Sequence, residues 1–293
     1  MPRRLLSLAG AKRGSAPLRA RSSTRLWGGW PYAEWMPATI AIVRRPGPRL
    51  ADGLVTHLQR SEISYEKALE QWQGYVDALA SAGWDIVQMA PADDCPDAVF
   101  VEDVLVVHDD LAVITNPGAL ERKPETEGVA ELAESLGLTV ARIEPPGTLD
   151  GGDVLRVRTP EQTTMYVGVG ARTNGRGVQQ LAQLMAPKAV RVQMVPVERA
   201  LHLKSAVTAL PDGTVIGWDP VVDDQEAFPR YEGMPEEGGA HVIQVGESHL
   251  VMAASAPMTA ELLRERGYTV TAVDISEFEK LEGCVTCLSV RLR

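Results

Sequence analysis

The sequence predicts an α/β fold in which strand–strand–helix–strand units repeat and close into a five-bladed pseudosymmetric α/β propeller. Short apolar strands alternate with amphipathic helices, the pattern of an α/β protein. Conspicuous residues recur at near-regular steps of 47, 52, 44 and 41 residues, and five units of about 50 fit residues 36–293. These positions are Asp103 (with Glu102), Asp150, His202, Gly246 and Cys287.

A doubly wound sheet is the rival fold, and it requires a glycine-rich phosphate loop after a strand. The nearest segment, residues 174–177, lacks the G-x-G-x-x-G spacing. The propeller is therefore the predicted architecture.

The predicted elements follow from hydrophobic periodicity. The first helix has apolar residues at helical spacing from Tyr65 to Leu79, with Ser64 as its N-cap and Gly83 at its end. Three more helices run from Val129 to Gly137, from Val178 to Pro187, and through Leu262 and Leu263 to Gly267, with a short turn at 276–281. Valine-rich or otherwise apolar runs predict strands at 39–43, 85–89, 100–107, 139–143, 154–157, 165–169, 190–195, 206–210, 215–218, 241–245, 249–253, 269–273 and 285–292.

Composition excludes several classes of protein. The chain has 293 residues, 45% hydrophobic and 23% charged, which is typical of a soluble globular protein. A net charge of −10 argues against nucleic-acid binding, and no apolar run is long enough to span a membrane. Three cysteines cannot form a disulfide framework, so we expect a reducing compartment and a cytoplasmic protein.

Residues 1–35 differ from the rest of the chain. They contain seven basic residues and one acidic residue. A disordered basic tail, or translated upstream sequence with the true start at Met36, is the preferred interpretation, and a transit peptide is the alternative. We expect one catalytic domain over 36–293.

Two acidic motifs carry candidate chemistry. Glu102 and Asp103 lie inside the predicted strand 100–107, where a buried acid requires a cationic partner; a wet edge strand is the alternative. Asp150 and Asp153 flank two glycines, which places carboxylates where the backbone bends and can be approached closely. An acidic hairpin turn remains the alternative for that motif.

Cys284 and Cys287 form a C-x-x-C motif that fits a zinc ligand pair, a redox dithiol, two small buried hydrophobes or a single nucleophile. If 285–292 is extended, the two Cα atoms lie about 10 Å apart, beyond disulfide reach. We therefore expect oxidation to act on Cys287 alone. His202 by itself fits a packed or surface histidine as well as a catalyst.

Together the motifs resemble those of the dimethylarginine dimethylaminohydrolases, members of the guanidine-modifying (pentein) superfamily. The resemblance runs from about residue 37 to the C-terminus and implies the same five-bladed fold. It also implies hydrolysis of Nω-methylated arginine to citrulline and an amine. The motifs are Phe100-Val-Glu-Asp103, Leu149-Asp-Gly-Gly-Asp-Val-Leu155, Arg172-Thr-Asn-Gly-Arg-Gly177, Leu201-His-Leu-Lys-Ser205 and Glu282-Gly-Cys-Val-Thr-Cys-Leu-Ser289.

The resemblance assigns catalytic roles to three residues. Cys287 matches the nucleophile, and His202 matches the general acid that later activates water. Asp150 matches a carboxylate that holds the guanidinium. The scheme needs no metal and no organic cofactor.

It also assigns substrate contacts. Asp103 matches a second guanidinium carboxylate, Asp97 an acid near the α-amino group, and Glu102 its neighbour in the motif. Arg122 and Arg172 match a clamp on the α-carboxylate. Leu281 matches a backbone contact. Residues 44–55 match poorly where the family has its substrate lid.

Three alternatives stay open at this stage. One is a deiminase or amidinotransferase that acts on another guanidine, the second is a non-catalytic arginine-binding protein, and the third is a zinc protein. The expected partner is a small-molecule substrate, with no nucleic acid and no membrane, and a homodimer is left open.

Overall fold

The structure, a computed structural model, describes residues 39–292, so the predicted N-terminal segment 1–35 lies outside the described residues. Within this range fifteen strands form five separate three-stranded sheets, as the predicted propeller requires. The first sheet comprises β15 (Val290–Leu292), β1 (Ile40–Val43) and β2 (Asp85–Gln88). The others are β3–β5 (Leu105–His108, Leu111–Ile114, Thr139–Arg142), β6–β8 (Val154–Arg158, Thr163–Val169, Arg191–Pro196), β9–β11 (Val207–Ala209, Val215–Gly217, Tyr231–Gly233) and β12–β14 (Val242–Gln244, His249–Ala253, Thr269–Val273).

All five sheets share one plan. The middle strand pairs antiparallel with one neighbour and parallel with the other; in the third sheet, Val167 of β7 faces Val154 of β6 and Met194 of β8. The first sheet joins the C-terminal strand to the N-terminal one, with Ile40 opposite Leu292. This pairing of β15 with β1 completes the first sheet and closes the ring of blades.

In four of the five sheets, helices connect the middle strand, which is β1 in the first sheet, to the parallel strand that follows it in the chain. They are α1 (Tyr65–Ser81), α2 (Val129–Ser135), α3 (Gly175–Met185) and α4 (Pro257–Glu265), followed by the short α5 (Ser276–Glu279). Ser64 caps α1 by accepting a hydrogen bond from the Lys67 amide at 3.3 Å. Glycines with φ near +80° to +90° follow α1, α2 and α4, at a position where a side chain would be strained. In the fourth blade short 3₁₀ turns at Asp219–Val221 and Gln225–Ala227 replace the helix.

The predicted fold class is confirmed, and most predicted strands and all the helices are found. Two strands were missed: β4, which follows β3 after a two-residue turn, and the short β11. Two others were wrong in extent. Residues 101–104 form a 3₁₀ turn before β3, and residues 284–289 form turns before β15. The Glu102–Asp103 pair and the Cys284–Cys287 pair therefore both lie in turns rather than in strands.

The polar motifs share one position in the repeat: each lies in the turn that leads into the strand at the start of a blade. Glu102 and Asp103 precede β3, Asp150 precedes β6, His202 precedes β9 and Cys287 precedes β15. Because these strands are equivalent in the five-fold plan, their entry turns meet at one end of the axis. Gly246 follows β12 rather than preceding it, so it is not part of this set.

The cores are apolar clusters that join adjacent blades. One contains Val106 of β3, Val154 of β6 and Leu181 of α3, all buried. In the range 39–292, none of the helices has the length and apolar character needed to cross a bilayer.

Candidate active site

His202 lies between two buried carboxylates at the end of the propeller axis. Its Nε2 is 3.0 Å from Asp150 Oδ2, and its Nδ1 is 3.8 Å from Asp103 Oδ1. Burial alone lowers the pKa of an imidazole, but the negative charges of Asp103, Asp153 and Asp150 outweigh it and raise the pKa of His202 to about 9. At neutral pH the imidazole is therefore protonated and can donate a proton.

Glycines allow this close approach. A Cβ on Gly152 would lie 2.6 Å from Asp103 Oδ1 and 2.7 Å from His202 Nδ1, so any side chain there would displace both groups. The Gly152 amide instead donates a hydrogen bond to Asp103 Oδ1 at 2.8 Å. The glycine pair predicted to bring the backbone near the carboxylates does so.

Asp150 is fully buried and held from three sides. Its Oδ1 accepts a hydrogen bond from the Gly118 amide at 2.8 Å, and its own amide donates to Thr173 Oγ1 at 3.0 Å. Arg172 Nη1 lies 3.5 Å from Asp150 Oδ2. These contacts fix the carboxylate that orients the His202 ring.

Asp153 is the second acid of the motif and bonds to residues next to Arg172 and His202. It accepts hydrogen bonds from Thr173 Oγ1 at 2.6 Å and from the Leu203 amide at 2.9 Å. Burial raises its pKa to about 6 against the opposing effect of His202. Asp153 therefore ties the Asp150 turn to the His202 turn.

Asp103 and Arg122 form a buried ion pair that extends to Glu125. The Arg122 guanidinium donates to the Asp103 carboxylate, to both oxygens of Glu125, and to the backbone carbonyls of Asp97 and Phe100. Although burial opposes it, the charges of His202 and Arg122 hold the pKa of Asp103 well below its usual range. Asp103 is therefore ionised at any physiological pH.

The two cysteines occupy one tight turn, and the prediction that they cannot reach each other was wrong. The Cys287 amide donates to the Cys284 carbonyl at 3.1 Å, and the two Sγ atoms are 3.3 Å apart. The error came from extending the final strand back to residue 285. Contact with the Cys284 thiol, burial, and the nearby Glu102 and Asp103 charges all raise the pKa of Cys287 in the ligand-free protein.

The separation of the sulfur atoms makes a disulfide the expected product of mild oxidation. Hydrogen peroxide should take one hydrogen from each thiol, join Cys284 to Cys287 and form two water molecules. We expect peptide mass spectrometry to find this crosslink, with activity lost in parallel and restored by dithiothreitol. In Cys284→Ser, the same treatment should give no crosslink, and Cys287 should instead carry a sulfenic acid or a higher oxidation product. Loss of activity with both thiols still free would contradict this expectation.

Glu102 lies behind the Cys287 turn. Its side chain accepts a hydrogen bond from Thr286 Oγ1 at 2.7 Å and pairs with Lys204 Nζ at 2.6 Å. Its amide donates to the Cys287 carbonyl at 3.2 Å. Glu102 thus lies outside the cavity that Cys287 lines, and it holds the cysteine turn in place.

A small cavity joins most of the predicted site residues. Its lining includes Asp97, Asp103, Arg122, Arg172, His202, Leu281 and Cys287. Asp150 contacts this set through His202, and Glu102 lies behind it. The space inside is about 10 Å³, room for roughly one water molecule, so a substrate of amino-acid size requires an opening.

The cover over the cavity is the segment Gly53 to Leu58, which overlaps the poorly matched region 44–55. Both Asp97 carboxylate oxygens accept hydrogen bonds from the Leu54 amide at 3.1–3.2 Å. The Glu282 carboxylate accepts from the amides of Thr56, His57 and Leu58. Glu282 has φ +61°, a conformation costly for a residue with a side chain, so the turn is held by its surroundings.

Removal of the Glu282 charge is expected to loosen this cover. In Glu282→Gln, hydrogen exchange of the amides of Thr56–Leu58 should accelerate about tenfold or more, because charge-assisted bonds contribute about 1.5–3 kcal/mol. KM should rise with it, since the closed form becomes less populated. Glu279→Gln is the matched control, because Glu279 binds Ser255 instead. Unchanged exchange in Glu282→Gln would exclude this role.

The pKa of His202 predicts how stability depends on pH. Because the pKa of His202 is higher in the folded state than in the unfolded chain, its contribution to the free energy of unfolding is complete below about pH 6.5 and is lost as the pH rises through about 9. The free energy of unfolding should therefore fall by about 3 kcal/mol across this window. Denaturant titrations at several pH values check it, and His202→Asn should lack that part of the slope. Equal slopes in both proteins would contradict the assignment.

One group of side chains could geometrically hold a metal ion. Ligand atoms of Asp103, Asp150 and His202 lie within 4.8 Å of one another. However, a protonated imidazole offers no lone pair, and Asp103 already pairs with Arg122. The donor set therefore suits a planar cation better than a metal, and the absence of a metal requirement stays a prediction.

Several residues at the site were not singled out from the sequence. Asp153 was visible in the acidic motif, and Lys204 follows His202 by two positions. Glu282 and Thr173 lie inside two of the motifs that carry the resemblance, but no role was assigned to them. Glu125, three residues after Arg122, lies in none of the motifs, because its partner is set by the fold.

An α/β propeller of five blades, with a cysteine, a histidine and paired carboxylates at one end of its axis, defines the guanidine-modifying class of proteins. The comparisons with known proteins agree. Residues 54–249 match the family model described as N,N dimethylarginine dimethylhydrolase, eukaryotic. A curated relative from Streptomyces coelicolor named N(G),N(G)-dimethylarginine dimethylaminohydrolase is 58% identical over 258 residues, which cover 88% of this chain and 98% of that protein.

A protein of the same name from Pseudomonas aeruginosa is 36% identical over 85% of this chain and 98% of its own. A solved structure of the Pseudomonas aeruginosa enzyme, a mutant complexed with citrulline, has a TM-score of 0.79 and 34% identity, and covers 87% of this chain and 100% of that chain. The chain belongs to the dimethylarginine dimethylaminohydrolase family. The N-terminal domain of a cyanobacterial arginine dihydrolase, with a TM-score of 0.77 and 20% identity over 87% of this chain and 98% of that one, shares the fold.

Proposed function

We propose that this protein hydrolyses Nω-methylated arginine, mono- or asymmetrically dimethylated, to citrulline and methylamine or dimethylamine. The supporting observation is one cavity lined by Cys287, a protonated His202 and the Asp103 carboxylate, with the Asp150 carboxylate behind it at 3.0 Å from His202. Each group has a part in displacing an amine from a guanidinium carbon. The names of the relatives in the family support the same substrate class.

The guanidinium of the substrate is planar, delocalised and cationic, so it resists attack unless it is held and polarised. Asp103 and Asp150 offer buried carboxylates that accept its N–H groups and fix its plane. The same cation offsets the negative charges that raise the pKa of the Cys287 thiol. Binding of substrate therefore favours formation of the thiolate next to the carbon it attacks.

The reaction proceeds by two exchanges at one carbon. The Cys287 thiolate forms a C–S bond to the guanidinium carbon, and His202 gives its proton to the leaving nitrogen as the C–N bond breaks. The amine departs and leaves a cationic thiouronium intermediate. His202 then takes a proton from water, and the resulting hydroxide forms a C–O bond to the same carbon. As the C–S bond breaks, the proton of the new hydroxyl group passes to the departing sulfur, so citrulline is released, Cys287 is again a thiol and His202 is again protonated.

We propose that Arg172 and Asp97 bind the amino-acid end of the substrate. Arg172 lines the cavity, and among the described residues its buried Nη1 makes no hydrogen bond, its one charged neighbour being Asp150 Oδ2 at 3.5 Å. Asp97 carries a carboxylate in the same cavity. Arg122 also lines the cavity, but each of its nitrogens already holds an acceptor, so its proposed part is to fix Asp103 while Arg172 meets the α-carboxylate.

A panel of guanidines tests the proposal. Purified protein should release citrulline and an amine from Nω-monomethylarginine and asymmetric dimethylarginine, and each product is quantified. Ammonia from unmodified arginine at a higher kcat/KM would favour the deiminase alternative. No product from any guanidine, with binding still detected by calorimetry, would favour the non-catalytic binding protein.

The proposed site also bears on where the protein acts and which part of the chain is needed. Its nucleophile is a free cysteine within disulfide reach of a second one, which supports a reducing compartment such as the cytoplasm. All the residues proposed here lie within 36–293. We propose that this range alone carries the activity.

A further inference from the structure

Formation of the Cys287 thiolate requires an acceptor for its proton, and the groups in the active-site cavity suit this role poorly. His202 is already protonated at neutral pH. The charges of its neighbours hold the pKa of Asp103 well below its usual range, so that carboxylate is a weak base. Asp97 is bound by the Leu54 amide of the cover, which also limits the access of bulk water to the thiol. The proton therefore needs a route that leads out of the cavity.

A chain of hydrogen bonds leads from Cys287 away from the cavity. Among the described residues, the partners of the Cys287 sulfur are the amide and the thiol of Cys284, at 3.4 and 3.3 Å. The Cys284 sulfur lies 3.3 Å from Thr286 Oγ1, whereas its contact with the Lys204 carbonyl is 3.9 Å long. The Thr286 hydroxyl donates to Glu102 Oε2 at 2.7 Å. Because a carboxylate fixes the donor of this last bond, each thiol can donate toward Glu102 in turn, and the chain has one direction.

Glu102 is suited to receive a proton at the end of this chain. Burial raises the pKa of its carboxyl although Lys204, 2.6 Å away, opposes the shift, so Glu102 is a stronger base than an exposed glutamate. Contact between the two thiols raises the pKa of Cys287 and lowers the pKa of Cys284, which favours the first transfer. Four further charged or titratable groups face the chain: Tyr75, Asp103, His241 and Arg291.

Glu102 also lines a second, larger cavity, which runs along the propeller axis. The volume of this axial cavity is about 470 Å³, and strands β3, β6, β9, β12 and β15 all contribute to its wall. Its lining extends from Glu102 and Thr286 to Arg158, an exposed residue at the end of β6. A cavity of this size has room for many water molecules, which can carry a proton from the carboxylate to solvent.

We propose that Cys284, Thr286 and Glu102 form a proton relay that carries the proton of the nucleophile out of the closed active site. The relay rests on the proposed function, since it serves the attack of the thiolate on a guanidinium carbon. As the C–S bond forms, the Cys287 proton passes to the Cys284 sulfur, whose own proton passes to Thr286 Oγ1. The Thr286 hydroxyl proton moves to the Glu102 carboxylate, which becomes neutral.

The protons of the whole reaction then balance. Glu102 releases one proton per turnover to water in the axial cavity, and the departed amine takes one up from solvent. Cys287 recovers its own proton from the new hydroxyl group when the C–S bond breaks. The relay therefore acts only in the first half of the reaction, before the amine is released.

Replacement of Glu102 by glutamine tests the end of the relay. The glutamine carbonyl can still accept the Thr286 hydrogen bond and hold the turn, but its amide does not take up a proton. We expect amine release in a single turnover of asymmetric dimethylarginine to slow by about tenfold or more. Hydrolysis of the covalent intermediate, followed by acid quench and mass spectrometry of the Cys287 peptide, should keep its rate.

The sign of this effect separates a relay from simple electrostatics. The Glu102 charge raises the pKa of Cys287, so without a relay its removal would speed the first half-reaction instead of slowing it. Glutamine at this position leaves Lys204 without its acid. The double variant Glu102→Gln/Lys204→Met removes both charges and should show the same slowing if the single variant fails to fold.

Two pairs of variants test the middle of the relay. Thr286→Val and Cys284→Ala each remove a group that both donates and accepts, so they should slow amine release as Glu102→Gln does. Thr286→Ser and Cys284→Ser keep such a group and should stay within a few-fold of the unaltered protein. Thr208→Val is the matched control, because Thr208 is equally buried but its hydroxyl donates to the Ala240 carbonyl.

Three results would overturn the relay. The first is amine release at the unaltered rate in Glu102→Gln, and the second is an equal rate in Thr286→Val and Thr286→Ser. The third is an equal slowing of both half-reactions, which indicates a displaced cysteine turn. A failure of the proposed function is distinct from these, because the unaltered protein would then release no amine from any guanidine.

Discussion

Replacement of Cys287 by serine is expected to lower kcat by about 10⁴-fold or more, equivalent to at least about 5 kcal/mol of transition-state stabilisation. A serine hydroxyl in the same turn is a far weaker nucleophile, and His202 is protonated and cannot act as its base. Binding should persist, because the carboxylates and Arg172 are unchanged. Steady-state kinetics and calorimetry with asymmetric dimethylarginine measure the two effects separately.

Cys284→Ser is the matched control for this prediction. Cys284 lies in the same turn, 3.3 Å from the Cys287 sulfur, and is equally buried, so it reports what loss of a thiol does to the turn itself. We expect its kcat to stay within a few-fold of the unaltered protein. Either of two results would show that Cys287 is not the nucleophile: a Cys284→Ser variant that folds normally but is inactive, or a Cys287→Ser variant that is active.

Replacement of His202 by asparagine is expected to lower kcat by about 10²- to 10⁴-fold, the usual contribution of a general acid–base residue. The variant has no group to protonate the leaving amine. The loss of kcat in His202→Asn should therefore be smaller for a substrate whose leaving group needs no proton. S-Methyl-thiocitrulline is such a probe, because methanethiol departs from a carbon–sulfur bond. Comparison of kcat for the two substrates therefore separates proton donation by His202 from the contribution of its imidazole ring to packing.

His249→Asn serves as the control, since His249 bonds to Thr271 on an outer strand. It should leave kcat unchanged. The pH profile gives a second readout: the alkaline limb of kcat/KM should follow a group titrating near pH 9 in the unaltered protein. If His202→Asn keeps that limb and its kcat, then His202 is not the acid.

Much of the fold was predictable because its signals are local. The helical spacing from Tyr65 to Leu79, the cap at Ser64 and the glycine at 83 depend on residues close in sequence, and α1 forms as expected. The repeat was also predictable, because each blade places its entry turn at the same point of its unit. The spacing from Asp103 to Cys287 therefore indicated five blades without any contact being known.

The errors occurred where distant residues override local preference. The valine-rich run 100–107 favours a strand, yet its first half forms a 3₁₀ turn that presents Asp103 to Arg122 and Glu102 to Lys204. Lys204 is about a hundred positions away in the chain. No local pattern could indicate which cation pairs with each of these two buried acids.

The sequence by itself determined the α/β class and the five-fold repeat, and its motifs supplied the groups proposed to carry the chemistry, because periodicity and motifs reside in neighbouring residues. Only the tertiary structure decided how those groups meet. It placed Cys284 within 3.3 Å of Cys287, gave Arg122 to Asp103 and Glu125, and closed the cavity beneath amides held by Glu282. Such contacts arise from close packing around the axis, where the energies of burial and charge pairing depend on distance in space and not on separation along the chain.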